Sequence, residues 1–208
     1  MLKILVADDH AIVRKGVIQI LSDEFPSAII EDVSNAEDLL HRTLTGTWDI
    51  IITDLSMPGR SGLDALKQIR LSKPSLPVLV LSMYPEEQYA IRVLKAGAAG
   101  YLNKEAAPDE LVMAVRQILK GEKYITAFVA GAMSGNISLT NDELPHQSLS
   151  DRELEVMRLI GMGKSVSEIA EMLLLSVTTV STYRARILSK LQLKNNAAIT
   201  LYVLENKP

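Results

Sequence analysis

The 208-residue chain contains no cysteine, which excludes disulfide bonds, thiolate zinc sites and cysteine nucleophiles. It also lacks any apolar run of about 18 residues, the length that a membrane-crossing helix needs. The first residues, MLKILVADD, become acidic too early for a signal peptide. From these absences we expect a cytoplasmic protein that is not associated with a membrane.

The composition and the charge distribution favour a folded chain with one basic end. Hydrophobic residues make up 48% of the chain and charged residues 23%, which is enough apolar material for a packed core. Residues 1–147 carry 14 Lys and Arg against 19 Asp and Glu, whereas residues 148–208 carry 8 against 6. The stretch 178–196 has four basic residues and no acidic one. This asymmetry indicates a polyanionic partner at the C-terminal end.

The first part of the chain alternates short apolar runs with helix-like stretches through five cycles. Continuous apolar runs are typical of parallel strands that are covered on both faces. We therefore predict an α/β domain over residues 1–121 with a parallel five-stranded sheet. The predicted strands are Lys3–Ala7, Ala28–Val33, Ile50–Thr53, Val78–Ser82 and Ala99–Leu102, and the predicted helices are Ile12–Ser22, Ala36–Leu44, Leu63–Leu71, Glu86–Ala96 and Pro108–Lys120.

The second part of the chain has no strand pattern. Periodicity fades over residues 122–147, which we predict to be a linker with a short helix around Ala127–Met133. Residues 148–208 then form a small all-α domain of four helices. The first helix is expected to begin at Ser150 and end near Ile160, and the second to begin at Ser165 and end at Leu173. The third is expected over Val177–Leu191 and the fourth over Asn195–Leu204.

Several helix ends are marked by local sequence signals. A serine followed three residues later by glutamate is a capping box, and it occurs at Ser34, Ser150 and Ser165. Gly97 and Gly121 are suited to end the helices that precede them.

Polar residues stand where four of the predicted strands end. They are Asp8 and Asp9, Asp54, Ser82 and Lys104. Because the carboxyl ends of parallel strands form one crevice, we expect these side chains to converge. Carboxylates a few Å apart raise one another's pKa values unless a cation balances them, so we expect Mg²⁺ or Mn²⁺ together with Lys104.

This acidic crevice predicts phosphoryl transfer. Asp54 is the predicted nucleophile, whose carboxylate would become an aspartyl phosphate. Asp8, Asp9 and Asp54 would hold the metal ion, and the backbone carbonyl of Ser56 would complete its coordination. Lys104 would provide positive charge for the phosphoryl oxygens, and the hydroxyl of Ser82 would bond to one of them.

The motifs Asp8-Asp9, Asp54-Leu-Ser-Met-Pro-Gly, Ser82, Tyr101 and Lys104 resemble the active site of a response-regulator receiver domain. The resemblance covers residues 1–121 and implies a flavodoxin-like (βα)₅ fold. It also implies phosphorylation of Asp54 by a partner histidine kinase. Ser82 and Tyr101 would form the switch pair, in which the hydroxyl moves toward the phosphoryl group and the aromatic ring turns inward.

The helix Val177–Leu191 carries two distinct faces. At 100° per residue its apolar residues, including Val177, Val180 and Ile187, lie in a single arc, and small, hydroxylated and basic residues lie outside that arc. Such a face can enter the major groove of DNA. Together with the short helix Ser167–Leu173 it forms a helix-turn-helix. The predicted DNA contacts are Thr178, Thr179, Ser181, Thr182, Ala185, Arg186 and Lys190.

The stretch from Leu149 to Thr200 resembles the LuxR-type helix-turn-helix of NarL/FixJ-like response regulators. The matching text includes Leu149-Ser-Asp-Arg-Glu-Leu-Glu-Val, Thr179-Val and Arg186-Ile-Leu-Ser-Lys-Leu. Ser181 stands where the family often has lysine and Tyr183 where it often has histidine, so a generic family DNA motif does not carry over. The whole chain is thus expected to be a response regulator that binds double-stranded DNA, forms a homodimer when phosphorylated or DNA-bound, and catalyses at most its own slow dephosphorylation.

Two other classes stay open from the sequence. One is a phosphatase or phosphotransferase, although Ser56 stands where phosphoaspartate enzymes of the haloacid dehalogenase type carry a second aspartate. The other is a constitutive DNA-binding protein that is never phosphorylated.

Four side chains outside these motifs are given structural roles. Arg184 is expected to pair with Glu153 or Glu155. His41 and His146 are assigned no metal role. His10 follows the acidic pair, and it is expected to cap a helix or face solvent, with a place at the border of the crevice as the alternative.

Overall fold

The computed structural model describes residues 1–57, 62–133 and 145–206. By their contacts, the described residues up to 133 form one compact unit and those from 145 onward form a second. Among the residues described, every helix is either too short or too polar to span a lipid bilayer.

The first unit is a parallel five-stranded sheet with the strand order β2-β1-β3-β4-β5. The predicted α/β fold is therefore confirmed. Each predicted strand and helix is present within two residues of its predicted ends. The strands are β1 Lys3–Ala7, β2 Ile29–Val33, β3 Ile50–Asp54, β4 Val78–Ser82 and β5 Gly100–Asn103, and the helices are α1 Ala11–Glu24, α2 Ala36–Thr45, α3 Gly62–Ser72, α4 Glu86–Lys95 and α5 Pro108–Leu119.

The core of this unit lies between the central strands and the helices on the two faces of the sheet. β3 and β4 are buried along their whole length, as continuous apolar runs predict. β2 differs because it lies at an edge of the sheet. It is mostly half-buried and carries Glu31 and Asp32.

The register of the strands places their carboxyl ends together. Ala7 of β1 lies beside Thr53 of β3, and Asp54 lies beside Leu81 of β4. Ser82 in turn lies beside Asn103 of β5. The side chains that follow these positions therefore meet at one edge of the sheet, where the candidate site lies.

The chain after α5 stays against the first unit. Tyr124 forms an isolated parallel bridge with Gly100 of β5. The short helix predicted near residue 127 is confirmed as α6, Ala127–Met133, and it packs against α4. The predicted domain limits at residues 121 and 147 stay a prediction, and the part of the linker up to residue 133 groups with the first unit.

The second unit is wholly helical within its described residues, as predicted. A short 3₁₀ helix, Pro145–Ser148, precedes four α-helices, and α7 packs against α9 and α10 while α8 packs against α9. The four helices are α7 Asp151–Gly161, α8 Val166–Met172, α9 Val177–Lys190 and α10 Asn196–Asn206. Their apolar core includes Leu154, Met157, Ile160, Ile169, Val180, Ile187 and Ile199.

Two of the three predicted capping boxes are confirmed. The side chains of Ser150 and Ser165 each accept a hydrogen bond from the main-chain N–H three residues later. The side chain of the glutamate at that position accepts a hydrogen bond from the main-chain N–H of the serine. The prediction at Ser34 was wrong, because Asn35 caps α2 by accepting a hydrogen bond from the Asp38 N–H at 2.8 Å. Gly97 and Gly121 have positive φ angles of 103° and 86° just beyond their helices, as a helix stop requires.

Candidate functional site

A buried lysine lies between two buried aspartates at the carboxyl edge of the sheet. Lys104 Nζ is 2.7 Å from Asp8 Oδ2 and 2.8 Å from Asp54 Oδ2, and each of the three side chains is 3% exposed. Asp8 follows β1, Asp54 ends β3 and Lys104 follows β5, so three separate strands bring them together. The predicted convergence of these residues is thus present.

Burial and neighbouring charges shift the pKa values of Asp54 and Lys104. Burial raises the pKa of Asp54 from the ordinary 3.8 to about 6, while Lys104 acts in the opposite direction. Burial disfavours the charged form of Lys104, but Asp54 and Asp8 outweigh it and raise the lysine pKa. Lys104 is therefore the fixed positive charge of the site, and the protonation of Asp54 responds to what binds beside it.

The free edge of the cluster has the donor atoms of a divalent cation site. Asp8, Asp9, His10 and Asp54 each place one ligand atom within 4.8 Å of the others. Carboxylate oxygens are the ligands that Mg²⁺ and Mn²⁺ prefer, so the three aspartates fit such an ion. Lys104 contacts the Oδ2 atoms of Asp8 and Asp54, and it therefore lies on the opposite side of these carboxylates from their Oδ1 atoms.

His10 faces solvent, as expected, and it also contacts the acidic cluster. Its main-chain N–H donates to Asp8 Oδ1 at 2.8 Å, and its Nδ1 lies 2.8 Å from Asp9 Oδ1. It occupies the N-cap position of α1 but makes no capping hydrogen bond with its side chain. The imidazole is 62% exposed, so it borders the crevice from the solvent side.

The chain after β3 approaches the site closely. The N–H of Ser56 bonds to the Asp54 carboxylate and lowers its pKa, against the larger effect of burial. Gly62 donates its N–H to the carbonyl of Leu55 at 2.8 Å, and a Cβ at Gly62 would stand only 2.0 Å from the Asp54 carbonyl oxygen. Gly62 is therefore a site residue that the sequence analysis missed. The predicted motif residues Pro58 and Gly59 lie outside the described residues.

Arg14 is a second residue that the analysis missed. It donates from Nη1 to the main-chain carbonyl of Asp8 and from Nε to Asp32 Oδ2, both at 2.6 Å. The arginine thereby ties the end of β1 to the neighbouring strand β2. The sequence signal that could have identified Arg14 is its position one turn into α1. From there a long side chain can contact the end of β1, which precedes the helix.

The predicted switch pair, Ser82 and Tyr101, shares one main-chain partner. Both residues are buried. Ser82 Oγ accepts from the N–H of Tyr84 at 3.1 Å, and Tyr101 Oη donates to the carbonyl of the same residue at 2.7 Å. Asn103 Nδ2 donates to that carbonyl as well, at 3.2 Å. The loop between β4 and α4 is thus held from both sides by the two residues.

In the second unit, α9 presents the predicted polar face. Ser176 caps the helix by accepting from the Thr179 N–H, and Val180 and Ile187 are buried against the neighbouring helices. Val177 was placed in the buried arc but is 50% exposed, because it stands in the first turn of the helix beyond its neighbours. Of the predicted DNA contacts, Thr179 is half-buried and the others are exposed, namely Thr178, Ser181, Thr182, Ala185, Arg186 and Lys190.

The predicted pairing of Arg184 was wrong. Arg184 donates to the side chain of Asn196 at the start of α10. Lys190 forms the ion pair with the buried Glu153 instead, and its Nζ lies 2.6 Å from Glu153 Oε2. Arg152 pairs with Glu155 at 2.7 Å. The ammonium of Lys190 thereby links the end of α9 to the start of α7.

Two family models match the chain in this arrangement. The model of the response regulator receiver domain matches residues 4–116, and that of the luxR family of bacterial regulatory proteins matches residues 147–203. The chain belongs to the NarL/FixJ-type response regulators. It is therefore a response regulator with a receiver domain and a LuxR-type DNA-binding domain, and not a typical enzyme.

Similar proteins match along the whole length. The chain is 38% identical to response regulator UvrY of Escherichia coli K12, with 96% of this chain and 92% of that protein covered. It is 38% identical to oxygen regulatory protein NreC of Staphylococcus haemolyticus, with 99% and 98% covered. A solved structure of two RcsB dimers bound to two parallel DNAs matches with a TM-score of 0.59 at 29% identity, covering 99% of this chain and 98% of that one.

Proposed function

We propose that a sensor histidine kinase phosphorylates this response regulator on Asp54, and that the phosphoryl group changes its binding to double-stranded DNA. The observation that carries the proposal is the contact of Lys104 with Asp54 inside a buried acidic cluster. Three carboxylates with ligand atoms within 4.8 Å of one another, two of which contact a charged lysine, form a site where added negative charge can be balanced.

The proposed transfer uses the Asp54 carboxylate as nucleophile. One of its oxygens forms a bond to phosphorus, the bond from phosphorus to the imidazole nitrogen of the kinase breaks, and that nitrogen takes up a proton. The ammonium of Lys104 neutralises a phosphoryl oxygen, and the hydroxyl of Ser82 bonds to another. Asp8, Asp9, Asp54 and the carbonyl of Ser56 would hold Mg²⁺ or Mn²⁺, which when bound balances charge in the transition state.

Phosphorylation would then bias the switch pair. A phosphoryl group adds nearly two negative charges at Asp54. Ser82 gains a partner in that state, and it would leave the N–H of Tyr84. The ring of Tyr101 is already buried in this structure, so it would keep its present position and would not need to turn inward as the resemblance implies. The phosphorylated state would thus favour one of two pre-existing arrangements of the receiver.

For the second unit, we propose that α9 enters the major groove. The exposed hydroxyls and the small side chain of Ala185 fit close to base edges, and Arg186 supports the complex through phosphate contacts. Lys190 has a structural partner in Glu153, so its contact with DNA would be to phosphate at the rim. The proposed contacts are Thr178, Thr179, Ser181, Thr182, Ala185, Arg186 and Lys190.

A homodimer is the proposed DNA-bound form. RcsB dimers are bound to DNA in the structure cited above, and here Leu201 and Leu204 of α10 are 56% and 67% exposed. An apolar face of this kind would be covered by a second copy of the chain. The dimer would then bind two DNA half-sites at once, and the two weak contacts would combine into tight binding. A Leu201→Glu variant should lose cooperative binding to a duplex with two half-sites but keep binding to one half-site.

The competing functions differ in turnover. A regulator retains its phosphoryl group and loses it slowly by its own hydrolysis, whereas a phosphatase or phosphotransferase turns over rapidly. A constitutive DNA-binding protein takes no label. We further propose domain limits at residues 1–121, 122–147 and 148–208, and action in the cytoplasm, where a DNA-binding regulator meets the chromosome.

The test is to incubate the full chain with Mg²⁺ and acetyl phosphate and to follow label and DNA binding together. We expect one phosphoryl group per chain, slow hydrolysis, no label in Asp54→Asn, and a change in genome-wide DNA occupancy that depends on the phosphodonor. Rapid multiple turnover would favour an enzyme, and DNA occupancy that is independent of the phosphodonor would favour a constitutive binding protein.

A further inference from the structure

The segment that follows α5 crosses the end of the sheet beside the switch pair. Tyr124 donates its main-chain N–H to the carbonyl of Ala99 at 2.9 Å and lies next to Gly100 of β5. Its hydroxyl donates to Glu110 Oε1 of α5 at 2.8 Å. Two independent contacts therefore fix Tyr124 against the edge strand and the helix after it.

The same segment then attaches to α4. The hydroxyl of Thr126 donates to Oε1 of Glu86, the first residue of α4. Val129 is buried, and α6 packs on α4. We call the segment Tyr124–Val129 the strap. It joins α5, β5 and α4, and the chain continues from it toward the DNA-binding unit.

The strap and Tyr101 of the switch pair border one cavity. The cavity has a volume of about 270 Å³, and Tyr101 and Thr126 of the strap are among the residues that line it. The hydroxyl of Tyr101 donates to the carbonyl of Tyr84, and Glu86 lies two residues further along the chain, where α4 begins. The remaining residues that line the cavity are Glu86, Leu102, Asn103, Glu105, Ala106 and Glu110.

The hydroxyl groups of the strap donate hydrogen bonds to acidic residues of this cavity. Three of the lining residues are glutamates, which are hydrogen-bond acceptors when ionised. Thr126 donates to Glu86 and Tyr124 donates to Glu110, so the strap supplies hydrogen atoms to two of the three. Burial raises the pKa of the Tyr124 phenol and Glu110 acts in the same direction, which keeps the phenol a donor.

We infer that Tyr124 and Thr126 are positioning residues for the phosphorylation of Asp54, acting through Glu110 and Glu86 on the loop that Tyr101 holds. The inference rests on the proposed phosphorylation. The strap stabilises the resting position of this loop, in which Ser82 accepts from Tyr84. A phosphoryl group that binds the Ser82 hydroxyl removes its hydrogen bond with Tyr84 and so frees the loop. Movement of the loop then weakens the contact between Glu86 and the strap.

Linkage makes the relation reciprocal. If phosphorylation loosens the strap, then a weaker strap must favour the phosphorylated arrangement by the same factor. Loss of a strap hydroxyl should therefore tighten binding of a phosphoryl analogue at Asp54, a site that neither Tyr124 nor Thr126 touches. A residue that only stabilises the fold would leave that affinity unchanged.

The experiment uses the full chain and beryllofluoride with Mg²⁺ as the phosphoryl analogue. Titrations should give binding at least about fivefold tighter for Thr126→Val and for Tyr124→Phe than for the wild type. Thr126→Ser, which keeps the hydroxyl, should match the wild type. Thr45→Val is the matched control, because Thr45 makes a single-hydroxyl contact with the His41 carbonyl on α2 and is remote from the switch loop.

A second readout follows the strap itself. Hydrogen exchange of the amides in the strap should accelerate when beryllofluoride binds to the wild type. Phosphorylation rates at varied acetyl phosphate should show a change in half-saturation for the two strap variants with the maximal rate little changed. Tyr124→Phe removes one oxygen atom only, so it serves if Thr126→Val fails to fold.

The outcomes separate the two claims. A wild type that neither binds beryllofluoride nor takes a phosphoryl group on Asp54 overturns the proposed function. A wild type that binds normally, with strap variants indistinguishable from Thr45→Val and with unchanged exchange in the strap, overturns the inference alone.

Discussion

The ammonium nitrogen of Lys104 lies 2.8 Å from Asp54 Oδ2, although both side chains are only 3% exposed. Burial of a charged group is costly unless it is paired, so the lysine and the carboxylate depend on each other. Asp8 adds a second negative charge, and the cluster as a whole carries an excess of negative charge. That excess is what a cation or a change in protonation can relieve, and it makes the site responsive.

Replacement of Lys104 tests this dependence. We expect Lys104→Met to lower the free energy of unfolding by about 3 kcal/mol without a divalent ion, since two buried carboxylates lose their partner. Mg²⁺ should restore more stability to this variant than to the wild type, because the ion then provides the missing positive charge. Urea unfolding with and without Mg²⁺ measures both effects. Lys95→Met, at the exposed end of α4, is the control and should change little.

The raised pKa of Asp54 predicts a specific pH dependence. Well below pH 3.8 the carboxyl is protonated in both the folded and the unfolded chain. Between pH 4 and about 6 the unfolded chain loses this proton while the folded chain keeps it, so the wild type loses stability as the pH rises. Relative to Asp54→Asn, which does not titrate, the loss should total about 3 kcal/mol and level off above pH 6.

The measurement for this prediction is a series of urea unfolding curves for both proteins from pH 4 to 8 without metal. Saturating Mg²⁺ should shrink the difference, because a cation favours the ionised carboxylate. A stability difference that stays constant over this pH range would contradict the assignment of the raised pKa to Asp54.

Gly62 is the residue whose replacement should damage the acceptor site most directly. A Cβ there would lie 2.0 Å from the Asp54 carbonyl oxygen, so Gly62→Ala must displace the end of β3. We expect a loss of more than about 2 kcal/mol in unfolding free energy and a strong fall in phosphorylation by acetyl phosphate. Gly16→Ala is the matched control, since a Cβ in that helical position meets nothing within 4 Å and should stabilise the chain by about 0.5–1 kcal/mol.

Two arginines of α9 should behave differently toward DNA. Arg186 is exposed, so Arg186→Ala should weaken binding to all sequences and lower the slope of log affinity against log salt by about 1. Arg184 is engaged with Asn196, so Arg184→Ala should lower stability and leave that slope unchanged. Fluorescence anisotropy with a duplex at several salt concentrations distinguishes the two. Equal slopes for Arg186→Ala and the wild type would remove Arg186 from the phosphate contacts.

The strands and the acidic crevice could be predicted because their signals are local. The runs before Asp8 and Asp54 are short and apolar, and the rule that parallel strands end in one crevice needs no coordinates. The helix caps at Ser150 and Ser165 follow from four-residue motifs. The cap of α2 was misplaced by one residue, because Ser34 and Asn35 are adjacent and both can cap.

The missed residues depend on contacts between distant parts of the chain. The need for glycine at position 62 comes from the carbonyl of Asp54, which a sequence pattern does not place. The partner of Glu153 was also misassigned, since whether Arg184 or Lys190 reaches it is set by how α9 crosses α7. Helical phase gives the face of a side chain but not the helix that it meets.

The central claim is that Asp54 accepts the phosphoryl group. The most direct measurement is to treat the full chain with acetyl phosphate and Mg²⁺, reduce the acyl phosphate with borohydride, and locate the resulting homoserine by peptide mass spectrometry. The account predicts homoserine at position 54 and none in Asp54→Asn. Homoserine at Asp8 or Asp9 instead, or a phosphorylated product that persists in Asp54→Asn, would contradict it.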